Sequence, residues 1–164
     1  TGEGLSSLGR EAVGVLEDCG IFLDVSHLND AGLRDVLDAA RRPFLATHSN
    51  ARAVCPHPRN LTDEQLRELI ARDCLIGLNY YSPFLRSEGE AGFDDLLRHA
   101  RHILDLGGEY SLGLGSDFDG ADLPPCLDGC EKVPQLGAVL ADPLGYGAAE
   151  RILWRNALDF FAKN

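Results

Sequence analysis

Methionine is absent from the 164 residues, and the chain begins at Thr1. We therefore expect this sequence to be part of a longer protein. No apolar run approaches the roughly 18 residues of a membrane-spanning helix, and the first ten residues lack the basic and apolar regions of a signal peptide. The sequence thus predicts no membrane contact for this segment and, unless a signal lies upstream, a cytoplasmic location.

Positive charge is scarce: 15 lysine and arginine residues stand against 26 aspartate and glutamate residues, and the formal net charge is −11. A surface with this excess of acid repels a phosphate backbone, which argues against nucleic acid as a partner. Small and partly cationic molecules suit such a surface better. The apolar share of 45% is high enough for a buried core, so the composition is that of a globular protein.

Cysteines are few and odd in number, and their spacing lacks the regular framework of a disulfide-rich protein. The five positions are Cys19, Cys55, Cys74, Cys126 and Cys130. This pattern favours reduced thiols, as in cytosolic proteins. Cys126 and Cys130 are close enough in sequence to hold a disulfide or a metal ion, but two ordinary thiols are the preferred interpretation.

A glycine-rich phosphate loop is also missing after the first predicted strand, which disfavours a nucleotide-binding doubly wound sheet. The sequence instead alternates short apolar runs with amphipathic segments. The apolar runs, typical of strands covered on both faces, span residues 21–26, 44–47, 75–80 and 111–116. The helical patterns span residues 6–19, 29–40, 93–106, 135–140 and 148–161, and a further helix begins at Thr62, which forms a capping box with Gln65.

This order of elements predicts parallel βα units in an α/β protein. Four such units are half of a (β/α)8 barrel, which needs about 250 residues when complete. We therefore expect residues 1–164 to form a single domain that is the C-terminal half of a TIM-like barrel. An open doubly wound sheet is the alternative.

Residues able to bind metal or transfer protons follow three of the predicted strands. His27 follows the first strand, His48 the second and Asp117 the fourth. Because the carboxyl ends of the strands form the active-site face of a βα barrel, we expect these side chains to gather in one pocket. Neutral imidazoles on neighbouring parallel strands can share one zinc ion. A single histidine at a strand end is more often structural, but two of them with a nearby acid favour a metal site.

Other polar residues near these strand ends are less telling. Arg59 lies in the loop after the second strand, where a solvated surface arginine and a guanidinium that binds a substrate carboxylate are equally good interpretations. Asp119 fits turn chemistry better than catalysis, so we assign it a structural role. Tyr80 and Tyr81 are equally suited to the pocket and to the core. The remaining histidines are expected outside the pocket: His57 exposed, and His99 and His102 on a helix, either solvated or packed behind the ligands.

Three motifs, in this order, resemble the membrane dipeptidase family, peptidase family M19. They are GIFLDVSH at residues 20–27, PFLATHSNARAVCPHPRNLTD at residues 43–63 and GLGSDFDG at residues 113–120. The likeness continues to RNAL at residues 155–158 and so spans nearly the whole chain. The three motifs together are far more specific than any one of them.

The resemblance implies a metal-dependent (β/α)8 barrel that holds two zinc ions and hydrolyses dipeptides. Position by position, His27 and His48 match the two histidine ligands of one zinc ion, and Arg59 matches the arginine that holds the substrate carboxylate. Asp117 matches the acid and base that lies near the metals and contacts the substrate. In such an enzyme the metal ions activate a water molecule that attacks the peptide carbonyl, and Asp117 would carry the proton to the leaving amine.

The family pattern also contains an HxD motif, a glutamate that bridges the metals and a substrate-binding histidine, and none of these is present here. Two histidines are fewer than the three protein ligands of a typical catalytic zinc, so we expect this chain alone to be inactive. We expect it to pair with the missing N-terminal half or with a second copy, because a half-barrel leaves sheet edges unpaired. The alternatives are another metal hydrolase, such as a lactonase, phosphotriesterase or deacetylase, or a non-catalytic half-barrel.

Overall fold

A computed structural model of the chain describes residues 2–164, in which three short strands are interspersed with helices. The strands are β1 Leu45–Ala46, β2 Leu75–Leu78 and β3 Leu112–Leu114. The α-helices are α1 Ser7–Asp18, α2 Asp30–Ala39, α3 Asp63–Ala71, α4 Ser82–Leu85, α5 Phe93–Asp105, α6 Val133–Leu144, α7 Tyr146–Glu150 and α8 Asn156–Lys163. Two short 3-10 helices, Gly108–Tyr110 and Cys130–Lys132, and the π-helical segment Arg151–Arg155 complete the secondary structure. No helix in this part of the chain combines the length and apolar character needed to cross a bilayer.

The strands form a parallel sheet in the order β1-β2-β3. Leu45 pairs with Leu75, and Ile76 pairs with Leu112. The sheet is buried on both faces, as expected when helices connect parallel strands: Ile76, Leu78 and Leu112 on one face are fully buried, and Leu45 and Gly77 on the other face are also buried. The predicted α/β class and its parallel sheet are confirmed.

The prediction of a strand over residues 21–26, the first of four, is wrong. Residues 21–26 make one isolated parallel bridge, between Asp24 and Leu45, instead of a continuous ladder. The bridge is held by the amides of Leu45 and Val25, but the amide of Thr47, directly after β1, donates to the Asp24 carboxylate at 3.0 Å. A side-chain acceptor therefore takes the place of the backbone carbonyl that would extend the ladder, and the strand ends there.

Helices α1, α2 and α3 begin where the sequence predicts, because side-chain oxygens satisfy free amides of their first turns. The Ser6 hydroxyl accepts from the Gly9 amide at the start of α1. At the start of α3, Thr62 and Gln65 form the predicted capping box, with bonds of 2.8 and 3.2 Å between each side chain and the other residue's amide. This prediction is confirmed.

The five cysteines carry free thiols. Cys55 and Cys74 are buried, whereas Cys19 and Cys130 are exposed and Cys126 is half-buried. Burial raises the pKa of the Cys74 thiol to about 11, against one opposing hydrogen bond from the Phe44 amide. Cys74 is therefore an uncharged core side chain near neutral pH.

His99 lies in the core rather than in solvent. Of the two alternatives expected for the histidines of this helix, solvation is therefore wrong for His99. Its side chain is fully buried on α5. Nδ1 accepts from the Ala51 amide at 3.1 Å, so the ring proton lies on Nε2, which donates to the Leu85 carbonyl at 3.0 Å. Burial lowers the pKa of His99 to about 4, and the ring is neutral at pH 7.

The stability of the metal-free protein is expected to fall as the pH is lowered from about 6.5 to about 4, because His99 must stay neutral when folded but takes up a proton when unfolded. Above the pKa of the unfolded state, the neutral His99 ring makes its full contribution to stability. About 3 kcal/mol of the free energy of unfolding is lost as the pH falls across this window. Denaturant unfolding at several pH values measures this. The variant His99→Gln should flatten the dependence, and an unchanged slope in that variant would contradict the assignment.

Candidate active site at the carboxyl ends of the strands

His27 and His48 lie side by side at the carboxyl end of the sheet. Their Nε2 atoms are 2.9 Å apart and their ring centroids 4.9 Å apart. His48 stands two residues after β1, and His27 stands three residues after Asp24, which bridges to β1. Parallel pairing thus brings the two imidazoles to the same edge, as the sequence predicts.

Asp24 organises the surroundings of this pair. Its carboxylate accepts four hydrogen bonds: from the Thr47 amide at 3.0 Å and hydroxyl at 2.5 Å, and from the Ser26 amide at 3.1 Å and hydroxyl at 2.8 Å. Burial opposes ionisation, but these four donors outweigh it and lower the pKa of Asp24. The Ser26 hydroxyl also accepts from the His48 amide at 3.0 Å.

This network fixes the proton position on His48. The Thr47 hydroxyl has one proton, which it donates to Asp24, so toward His48 Nδ1, 2.8 Å away, it can only accept. His48 therefore carries its proton on Nδ1 and keeps the Nε2 lone pair toward His27. Burial lowers the pKa of His48, with Asp117 and Asp24 opposing, and favours the neutral ring.

Two facing imidazole nitrogens suit a metal ion as two of its ligands. Nitrogens that share a tetrahedral zinc at about 2.0 Å are themselves about 3.3 Å apart, so the 2.9 Å separation of the two Nε2 atoms needs only a small adjustment. Within residues 2–164, no group of three or more histidine, cysteine, aspartate or glutamate side chains is arranged to hold a metal. The pair fits as part of a metal site, not as a complete one.

Arg59 lies in a loop that is held by a backbone bridge and by side-chain hydrogen bonds. The loop is closed by a parallel bridge between Ala51 and Leu61, and the buried side chain of Asn60 donates from Nδ2 to the carbonyls of Cys55 at 2.9 Å and Phe84 at 2.8 Å. The Arg59 guanidinium lies 5.5 Å from the centre of the Phe84 ring.

No carboxylate within the described residues forms an ion pair with this arginine. Burial lowers the pKa of Arg59, although Asp117 and Asp24 oppose that effect. A half-buried cation without a paired anion is costly to a protein. Its position therefore favours binding of an anionic group from outside.

His27, Arg59 and Asp117 line one cavity of about 730 Å³. Its other walls are Tyr81, Phe84, Asp119, Gly120, Ala121, Asp122, Leu123 and Asp128. Asp117 has φ +69°, in the left-handed region, and its Oδ2 accepts from Nδ2 of Asn79 at 3.1 Å. The cavity thus combines an imidazole of the pair, a carboxylate and an unpaired guanidinium.

The remaining tyrosine, histidine and aspartate candidates lie partly at this cavity and partly elsewhere. Tyr81 lines the cavity, whereas Tyr80 is buried in the core. His57 is half-buried against the Phe84 ring at 4.5 Å between centroids, which corrects its predicted exposure. His102 contacts Asp63 at 2.7 Å and so links α5 to the start of α3. Asp119 is exposed at the cavity wall with φ +62°, a turn conformation that fits the structural role assigned to it, which stays a prediction.

Two residues of the site were not singled out from the sequence. Asp24 and Asn79 both sit at strand ends, in DVSH and in LIGLNY, and that position was the available signal. Asp24 orients Thr47 and Ser26 around the histidine pair, and Asn79 binds Asp117. The roles of His27, His48, Arg59 and Asp117 themselves stay predictions, although the structure brings them to one edge of the sheet.

Comparison with known proteins identifies the family. The family model described as "Membrane dipeptidase (Peptidase family M19)" matches residues 1–163. A protein of Klebsiella pneumoniae, described as an uncharacterized protein in the pqqA 5' region, is 37% identical over 163 residues, which are 96% of this chain and 60% of that protein.

Two solved structures have the same fold. A metallopeptidase of Rhodobacter sphaeroides, liganded with a phosphinate mimic of the dipeptide L-Ala-D-Ala, superimposes with a TM-score of 0.93 at 38% identity, over 99% of this chain and 48% of its own. A metallopeptidase described as the dipeptidase AC, of family M19, gives 0.92 at 39% identity, over 98% and 49%. The chain therefore spans about half the length of these relatives, and the predicted half of a TIM-like barrel is confirmed. The chain belongs to the membrane dipeptidase family, peptidase family M19.

Proposed function

We propose that the whole protein carrying this chain is a zinc-dependent dipeptidase and that these residues supply half of its active site. The observation that carries the proposal is the cavity at the strand ends. A facing pair of imidazole nitrogens 2.9 Å apart adjoins the space into which Arg59 and Asp117 project. Metal ligands, an anion-binding group and a proton-transfer group are thereby present together, as peptide hydrolysis with metal assistance requires.

In this proposal each side chain has one task. His27 and His48 bind one metal ion, and when bound the ions act as Lewis acids and make water more acidic. Arg59 binds the carboxylate of the dipeptide and so sets the position of the scissile bond. Asp117 removes the proton of the attacking water and delivers it to the nitrogen of the leaving amine, so the proton count is balanced.

The remaining metal ligands must come from outside residues 2–164. A catalytic zinc takes three protein ligands, and this part of the chain offers the histidine pair. We therefore propose that the chain alone is inactive and pairs with the other half of the barrel, or with a second copy. Exposed apolar side chains on α1 and shortly after it support such a contact: Leu8 is 73% exposed, Val15 54% and Ile21 52%.

The whole protein, loaded with zinc, should hydrolyse dipeptides but not lactones or phosphotriesters. Because a related solved structure holds a mimic of L-Ala-D-Ala, alanyl dipeptides of both configurations are the first substrates to try. Release of free amino acid is measured. Hydrolysis of the lactone or phosphotriester alone would overturn the proposal and identify another metal hydrolase.

Replacing Arg59 with methionine is expected to raise KM for a dipeptide by roughly 10- to 100-fold, because a charge-assisted hydrogen bond to the carboxylate is worth about 1.5–3 kcal/mol. Arg59→Lys keeps the charge without the planar fork and should recover part of the loss. A dipeptide amide is the matched control, since it has no carboxylate and should be cleaved equally by wild type and variant. Equal losses on both substrates would show that Arg59 does not bind the carboxylate.

A further inference from the structure

Asn79 is a fully buried amide directly after β2 that contacts Asp117 on the neighbouring strand end. Its Nδ2 donates to Asp117 Oδ2 at 3.1 Å, and its Oδ1 accepts from the Tyr81 amide at 2.6 Å. The amide of Tyr81 can only donate, so the orientation of the Asn79 side chain is fixed. Asn79 therefore always presents a donor to Asp117.

A second buried amide holds Asn79 in place. Asn50, also fully buried, donates from Nδ2 to the Asn79 carbonyl at 3.0 Å and accepts from the Asn79 amide at 3.1 Å. This pair joins the end of β1 to the end of β2 through side chain and backbone. A buried polar network in which both amides are satisfied is rigid, so the donor toward Asp117 is fixed in space.

The opposite side of the Asp117 carboxylate is limited by Gly120. A Cβ atom at Gly120 would lie 2.4 Å from Asp117 Oδ1, far inside van der Waals contact. The Gly120 amide also donates to the Asp117 carbonyl at 3.2 Å and closes the turn. Oδ2 is thus held by an amide donor, and Oδ1 lies over a residue that has no side chain and that lines the cavity.

We propose that Asn79 is a positioning residue that selects the working oxygen of Asp117. Because Oδ2 accepts from a donor that cannot turn, and a charged oxygen accepts more strongly than a protonated one, Oδ2 is stabilised as the unprotonated oxygen. The proton taken from the attacking water is therefore held on Oδ1 and leaves from Oδ1 to the amine nitrogen. This inference rests on the proposed function, since it deepens the role given there to Asp117.

The test is the steady-state kinetics of the whole zinc-loaded protein with the alanyl dipeptide that the wild type cleaves. Asn79→Leu removes the donor, and kcat should fall roughly 10- to 100-fold, as for a misplaced catalytic group. KM should stay within about twofold, since substrate binding by Arg59 is unchanged. Zinc content, measured by mass spectrometry, should match that of the wild type.

A second variant keeps the inference testable if Asn79→Leu does not fold. Asn79→Asp keeps the size and the acceptor for the Tyr81 amide but, when ionised, offers Asp117 no donor, so kcat at pH 8 should fall as in Asn79→Leu. Asn156→Leu is the matched control, because Asn156 is an equally buried amide that donates to the carbonyls of Glu109 at 2.8 Å and Leu112 at 2.7 Å, at the other end of β3. Asn156→Leu should lower the free energy of unfolding and leave kcat within about twofold of the wild-type value.

The outcomes separate this inference from the proposed function. A wild-type protein that cleaves no dipeptide refutes the proposed function. A wild type that cleaves the dipeptide while both Asn79 variants keep its kcat, or lose no more than Asn156→Leu does, overturns the positioning role alone. A loss confined to KM, or a loss of zinc from the Asn79 variants, would also overturn it.

Discussion

Replacing His48 with alanine is expected to abolish high-affinity zinc binding by the whole protein, and hydrolysis with it. The Nε2 lone pair of His48 faces His27, and the network behind it leaves that nitrogen without a proton. Removing such a ligand should weaken zinc binding by more than about 100-fold, the upper end of the loss when an outer partner of a ligand is removed. Zinc titration by calorimetry on the metal-free protein gives the affinity. His27→Ala should behave in the same way.

The network behind His48 predicts a graded effect that a merely damaged fold would not produce. Thr47→Val removes the hydroxyl that joins Asp24 to His48 Nδ1 but keeps the shape of the side chain. Zinc affinity should then fall by about 10- to 100-fold, less than in His48→Ala, and Thr47→Ser should restore most of it. An affinity in His48→Ala equal to that of the wild type would show that the pair is not a metal site.

The positions of the site residues could be predicted because they depend on one rule of parallel sheets. Strands of alternating βα units all end at the same edge, so His27, His48 and Asp117 had to meet once their segments were recognised. Helix starts were equally readable, since a capping box such as that of Thr62 and Gln65 acts locally. Neither inference needs knowledge of long-range packing.

The parts that could not be predicted depend on contacts between distant segments. Residues 21–26 have the apolar pattern of a strand, but the Asp24 carboxylate takes the Thr47 amide and stops the ladder. Asn79 reads as an ordinary polar residue in LIGLNY, but it is completely buried and contacts Asn50, Asp117 and the Tyr81 amide just before α4. His99 occupies a helix face that the pattern leaves ambiguous, and the Ala51 amide draws it inward.

Replacing Asp117 with asparagine should lower kcat by roughly 100- to 10,000-fold, the range contributed by a general acid or base. The substitution suits the backbone, because asparagine tolerates the left-handed conformation at φ +69° and its carbonyl oxygen can still accept from Asn79. Fold and zinc content are therefore expected to persist, and the loss is one of proton transfer. Single-turnover assays on the zinc-loaded protein measure it directly.

Asp119→Asn is the matched control for this variant. Asp119 lines the same cavity and also has a left-handed backbone, with φ +62°, so the two substitutions remove the same charge from equivalent turn conformations. If Asp117 transfers the proton and Asp119 shapes the turn, Asp119→Asn should keep kcat within about threefold, because asparagine satisfies the same turn. The reverse result, with Asp119→Asn inactive and Asp117→Asn active, would transfer the catalytic role to Asp119. It would also overturn the positioning role proposed for Asn79.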